Sequence, residues 1–120
     1  FQFCYALTSI DVSSWVTSSV TSMGAMFYNC TGLTSLVGAE DFDITSLSTV
    51  NSLDNFLNIG KMTTAQYDNL LVNWEAQASG IPAMTPTFGT SILTLGGTAD
   101  TAKQNLINTY GWTVQDGVTP

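Results

Sequence analysis

The 120-residue sequence has no histidine and no arginine, and its only cations are Lys61 and Lys103, set against nine acidic residues. A net charge of -7 cannot neutralise a phosphate backbone, which excludes nucleic acid as a partner, and the same sign excludes anionic membranes. The lack of histidine removes the commonest general base and the usual zinc or copper ligand, leaving carboxylates or an unpartnered thiol for any catalysis. Two cysteines are too few for a disulfide-dense scaffold. No apolar run approaches the ~20 residues of a spanning helix, so membrane insertion is not expected. Phe1 to Ile10 shows neither a basic start nor an unbroken apolar segment, so no signal peptide is read there and a processed or partial chain is expected.

What the chain does have is hydroxyls: 12 serines and 18 threonines make a quarter of it, while charged residues make only 9%. With few lysines and an acidic balance, this composition suits an exported or virion surface kept soluble by self-repulsion, and it is also compatible with an intracellular acidic protein.

The sequence also repeats itself. Phe1, Cys4, Leu7, Thr8, Ser9 and Ile10 recur as Phe27, Cys30, Leu33, Thr34, Ser35 and Leu36 at a constant offset of 26. Trp15 finds Phe42 at 27, and Val20, Ser22, Met23, Met26 and Phe27 find Val50, Ser52, Leu53, Phe56 and Leu57 at 30. The second copy therefore carries an insertion between Leu36 and Val50, read as a loop over Val37 to Asp41. A period of this length, with Leu or Ile at spacing 3, predicts a leucine-rich-repeat solenoid of the α/β class with short parallel strands. In such a coil Leu7, Ile10, Val12, Leu33 and Leu36 point inward, and Thr8, Ser9, Asp11, Thr34 and Ser35 line the outer face. Val20, Met23, Met26 and Phe27 are expected as one or two helical turns on the return side.

The string Leu7-Thr8-Ser9-Ile10-Asp11-Val12-Ser13, then Trp15, then Val20-Thr21-Ser22-Met23-Gly24-Ala25-Met26-Phe27-Tyr28-Asn29-Cys30 resembles the BspA-like leucine-rich repeat. One copy matches nearly in full. The second matches through Leu57, with Leu53 and Phe56 in place of the methionines. Tyr67 to Trp74 and Tyr110 to Gly117 are similar to segments that close such arrays. The resemblance implies a surface-displayed solenoid used mainly in attachment, found on bacterial and protist cells and in phage virions, with no catalytic residues.

From Lys61 the repeat gives way to helical spacing, with Tyr67, Leu70, Leu71 and Trp74 at i, i+3, i+4 and i+7. Thr63 with Gln66 three residues on is a capping box, and Ser79-Gly80-Ile81-Pro82 ends the helix. After an extended stretch at Thr85 to Gly89, a second helix is expected from Thr98, with Asp100 in its first turn and Ala99, Ala102, Leu106 and Tyr110 on one side. Gly111 stops it, and Trp112 to Gln115 alternates like a final strand. The expected organisation is thus about two repeats over 1–60, the first truncated, and a C-terminal α/β cap over 61–120 that covers the open end. Phe1 begins inside a repeat, so further repeats or another domain are expected upstream.

Three groups of side chains are candidates for chemistry. Cys4 and Cys30 occupy matching positions, within disulfide reach across stacked strands, but no cation flanks them and a column of buried thiols is the preferred reading. Glu40, Asp41 and Asp43 form the one acid cluster, too sparse for a calcium loop or for the paired carboxylates of a glycosidase, and are read as a solvated insertion. Among the aromatics, Trp15, Trp74, Tyr67 and Tyr110 are assigned to the core, leaving Tyr5, Tyr28 and Trp112 as exposed rings able to stack on sugars. No catalytic, cofactor-binding or metal-binding residue is assigned. The expectation is a non-enzymatic, surface-displayed attachment or structural module, extracellular or on a cell or virion surface, presenting Thr8, Asp11, Thr34, Ser35, Tyr5 and Tyr28. Its partner would be a protein or a surface glycan of a host or neighbouring cell, with upstream repeats or homo-oligomer contacts alongside. A carbohydrate-binding module is the alternative, and a glycosidase-type enzyme the third.

Overall fold

The computed structural model describes residues 1–117; Val118 to Pro120, the end of the expected cap, lie outside the described residues. Strand β1 (Ser9–Asp11) pairs in parallel with β2 (Ser35–Val37), followed by a 3₁₀ turn at Ala39–Asp41 and two helices, α1 (Thr64–Glu75) and α2 (Thr98–Asn108). Ser9 faces Ser35 and Ile10 faces Leu36, so the register of the pair equals the sequence offset of 26. Val12 and Leu36 are buried and Ile10 half-buried, while Ser9 and Asp11 are exposed, as alternation along a strand requires.

A leucine-rich-repeat solenoid is not what forms. Among the described residues there is one sheet of two three-residue strands and no repeat array beyond it. The expected helical turns at Val20 to Phe27 are also absent. Ala25 and Asn29 adopt left-handed conformations (φ 56° and 57°), which no helix accommodates. The N–H groups of Met23, Ala25 and Phe27 donate sideways instead, to the carbonyls of Ser52, Asp54 and Phe56 (2.8, 2.8 and 2.9 Å). The final strand at Trp112 to Gln115 is likewise reduced to one parallel bridge between Thr87 and Gln115, and the extended stretch at Thr85 to Gly89 to that bridge and Leu57–Phe88.

Both repeat copies and the helices share one core. Phe27, Phe56, Trp74, Phe88 and Tyr67 are buried together with neighbouring ring centroids 5.1–6.1 Å apart, mostly edge-on. The radius of gyration, 13.0 Å, is near the ~13.6 Å expected for a compact chain of this length.

The helices form where the spacing places them. Thr63 Oγ1 accepts from Gln66 N–H (3.2 Å) and Gln66 Oε1 from Thr63 N–H (3.0 Å), the capping box that starts α1. Tyr67, Leu70, Leu71 and Trp74 are buried beneath it. Gly111 adopts φ +74° after α2, the left-handed stop a glycine tolerates best. The insertion at Val37 to Asp41 is exposed at Val37 and Asp41 but buried at Gly38 and Ala39. Gly38 (φ +95°) brings the backbone so close to Ser13 that a Cβ would lie 2.4 Å from its Cα, and Ala39 is fully buried under α1.

Candidate functional site

Helix α1 seals one side of the sheet. The Leu36 N–H, on the edge of β2 away from β1, donates to Gln66 Oε1 (2.9 Å), and Gln66 Nε2 donates to Ser35 Oγ (2.7 Å). Further along, Asn73 Nδ2 donates to Glu40 O (3.1 Å) and Trp74 Nε1 to Ala39 O (3.0 Å). Gln77 donates to Phe42 O (3.0 Å) and accepts from Ile44 N–H (2.9 Å), filling the place of a neighbouring strand. Four side chains of one helix and its C-terminal turn thus satisfy backbone groups of β2, the 3₁₀ turn and the segment at 42–44 that follow one another along the chain.

The opposite edge has no such cover. The Val12 N–H donates to Val37 O (2.8 Å), and direction alternates along a strand, so the N–H and C=O groups of Ser9 and Asp11 face away from β2. Neither N–H meets an acceptor among the described residues. Exposed rings precede and follow β1 in the chain. Tyr5 is 59% exposed, Phe1 53%, Phe3 49% and Trp15 38%. Phe3 lies 6.2 Å from Tyr5 and edge-on to Tyr28 at 5.6 Å, while Trp15 stacks between Phe1 (5.5 Å) and Phe42 (6.3 Å).

Of the residues singled out in the sequence, Asp11 lies in β1 with its backbone facing away from β2, Thr8 directly precedes the strand with its carbonyl turned to Thr34, and Phe3 stands between Tyr5 and Tyr28, the latter half-buried rather than exposed. Thr34 is exposed with its hydroxyl donating to Thr8 O (3.2 Å), whereas Ser35 is occupied by Gln66. Trp112 is buried (2% exposed) and its indole N–H has no partner among the described residues; Trp15, expected in the core, takes its place as an exposed ring. Phe1 and Phe3 were missed, because the offset equates Phe1 with the core residue Phe27 and gives Phe3 no counterpart.

Cys4 and Cys30 are both free thiols, and Cys30 Sγ donates to Phe1 O (2.8 Å). The acid cluster does not converge. Glu40 Oε2 accepts from Gly38 N–H (3.2 Å), Asp43 Oδ1 from the N–H and hydroxyl of Thr45 (2.9 and 2.6 Å), and among the described residues no three His, Cys, Asp or Glu side chains could share a metal. Asp11 makes the same turn with Ser13 (2.9 and 2.5 Å), and in both cases the side-chain and then the backbone hydrogen bond holds the carboxyl below its ordinary range.

A buried polar cluster lay outside the sequence reading. Lys103 Nζ of α2 sits 2.9 Å from Asp116 Oδ2, which also accepts from the Tyr67 hydroxyl of α1 (2.5 Å); the Lys103 and Asp116 side chains are 8% and 0% exposed. Burial first, then the hydrogen bond and charge of Asp116, push the Tyr67 phenol well above its ordinary pKa. The cluster ties both helices to the C-terminal segment. Only its charges carry a signal in sequence, as Lys103 is one of two cations.

The described surface includes a cleft of about 370 Å³ near Thr34, Lys61 and Thr90 and a smaller polar one of about 220 Å³ at Asp54, Asn55, Thr85, Thr87 and Gln115. The Asp54 carboxylate bonds the Thr85 hydroxyl there. No protein-family model, curated protein or solved structure matches the chain.

Proposed function

We propose that the chain is a non-enzymatic module for attachment or structure, displayed outside a cell or on a virion, that engages a protein partner through the β1 edge. The supporting observation is the contrast between the two edges: Gln66 of α1 occupies the outward Leu36 N–H of β2, while the outward N–H groups of Ser9 and Asp11 in β1 meet no acceptor among the described residues and exposed rings precede and follow them in the chain. Exposed rings beside unpaired backbone suit an interface core, where aromatics are enriched. The glycosidase alternative gains nothing from Asp11 and Asp43, whose carboxyls are held low when a general acid must be raised. A second reading, a carbohydrate-binding module, is favoured by Tyr5, Phe3 and Tyr28 standing together, as sugar faces stack on such rings.

The test is binding of the purified chain to an array of extracellular proteins and to an array of glycans, beside Phe3→Ala and Tyr5→Ala variants. A protein signal lost in both variants supports the first reading, and a saccharide-dependent signal lost in both supports the second. A signal that neither variant weakens would overturn the placement of the site.

A further inference from the structure

We propose that the β1 edge is a strand-addition site whose ligand is an extended polypeptide segment running parallel to β1 and carrying the alternating apolar and hydroxyl pattern of residues 7–12. This deepens the protein-binding reading above and rests on it.

The chain contains one example of the interaction. Segment 8–12 docks on the edge of β2 that bears Ser35 and Val37: Thr34 N–H donates to Thr8 O (2.9 Å) and Val12 N–H to Val37 O. The outer edge of β1 repeats that docking edge in backbone direction and in sequence, with Ser9 standing for Ser35, Ile10 for Leu36 and Leu7 for Leu33. A segment patterned like 7–12 therefore meets at Ser9 and Asp11 the backbone groups that it already meets at Ser35 and Val37. The rings repeat too, since Phe1 stacks on Phe27 at 6.0 Å and Trp15 on Phe42 at 6.3 Å, and both Phe1 and Trp15 keep exposed surface for the incoming segment.

A second copy of the folded chain cannot supply the segment head to tail. The edge it would offer is the far side of β2, and Gln66 occupies the Leu36 N–H there. Asp11 on the edge and a net charge of -7 further favour a segment without acidic residues around its strand.

The probe is a fluorescein-labelled peptide of residues 1–16 with Asp11 replaced by asparagine, titrated into the whole chain beside a scrambled peptide, with anisotropy and amide hydrogen exchange as readouts. Saturable binding is expected, with about tenfold or greater slowing of exchange at Ser9 and Asp11 and little change at Ile10 and Val12, already bonded to β2. Ser9→Pro in the protein deletes an N–H that β2 does not use, so the fold should persist while affinity falls about tenfold or more. Should that variant unfold, the exchange pattern of the unaltered chain decides. No binding up to about 1 mM, equal binding of the scrambled peptide, or protection outside Ser9 and Asp11 overturns strand addition. Array binding that disappears in Tyr5→Ala while the peptide fails would leave docking through the rings intact and reject this mode alone.

Discussion

Replacing Gln66 by alanine is expected to cost about 2–3 kcal/mol, far more than a half-buried polar residue on a helix usually carries. Its Oε1 accepts from two backbone N–H groups, Leu36 (2.9 Å) and Thr63 (3.0 Å), and its Nε2 donates to Ser35 Oγ. Alanine leaves the Leu36 N–H beneath α1 without an acceptor, worth about 1.5–2 kcal/mol for a single neutral donor. It also removes the reciprocal half of the capping box, about 0.5–1 kcal/mol more. At ~2.1 cal/mol/K of unfolding entropy per residue, a chain of this length loses about 4 °C of melting temperature per kcal/mol, so the midpoint should fall by about 8–12 °C. Glutamate at 66 keeps both acceptor bonds, places a negative charge in the first turn of the helix and gives up only the donor to Ser35, so its cost should stay under about 1 kcal/mol. Urea unfolding and calorimetry of the two variants decide the matter. An alanine variant within about 0.5 kcal/mol of the parent, or a glutamate variant as damaged as the alanine one, would show that Gln66 does not seal the β2 edge.

Leu33→Ala, emptying a fully buried site, should cost about 2–5 kcal/mol by urea unfolding against under ~0.5 for the exposed Thr34→Ala; equal costs would contradict the placement of the two side chains. Gly89 has φ +59° and a Cβ there would lie 1.9 Å from Gly60 O, so Gly89→Ala should cost upwards of about 3 kcal/mol, whereas Gly80→Ala, equally left-handed but in open space, should cost about 1; calorimetry giving the reverse order would refute the close approach of residues 60 and 89. The raised Tyr67 pKa keeps the phenol protonated in the folded state, so its stabilisation is complete below the ordinary tyrosine pKa of ~10 and is lost as the pH rises above it. Urea midpoints should therefore fall above about pH 10 in the parent and fall less in Tyr67→Phe; parallel pH profiles would contradict the buried bond to Asp116.

The parts of the fold legible in the sequence are those fixed by local pattern. The spacing of Tyr67, Leu70, Leu71 and Trp74 and the pairing of Thr63 with Gln66 define α1 because helix faces and caps are set within a turn or two of chain. The offset of 26 marks the β1–β2 register because similar short segments lie side by side. The solenoid inferred from that offset failed at Ala25 and Asn29, where left-handed backbone replaces the helical return, a conformation that composition does not reveal for alanine. The site was half legible. Tyr5, Thr8 and Asp11 stand out as hydroxyl, acid or ring in the repeat, but the exposure of Trp15 and burial of Trp112 depend on which rings stack across segments distant in sequence. The second bonds of Gln66 and Gln77, to backbone about thirty residues away, have no sequence signature at all.

An unpaired edge beside exposed rings is ordinarily an aggregation hazard, and three features limit it here. Strand β1 is only three residues long, so few backbone groups are on offer. Asp11 stands on the edge itself, with its carboxyl kept ionised by Ser13, so any pairing of two copies across a two-fold axis at Ile10 brings two like charges together. The whole chain then adds a repulsion of -7 against -7, which acts on a second copy but not on a neutral or basic segment. Under the strand-addition proposal, the same acidic surface that discourages self-pairing would also select among partners. It explains how backbone hydrogen bonds, which carry no side-chain information, can sit at an exposed edge and remain specific: alternation of apolar and hydroxyl residues sets the register, and charge excludes the commonest competitor, the protein itself.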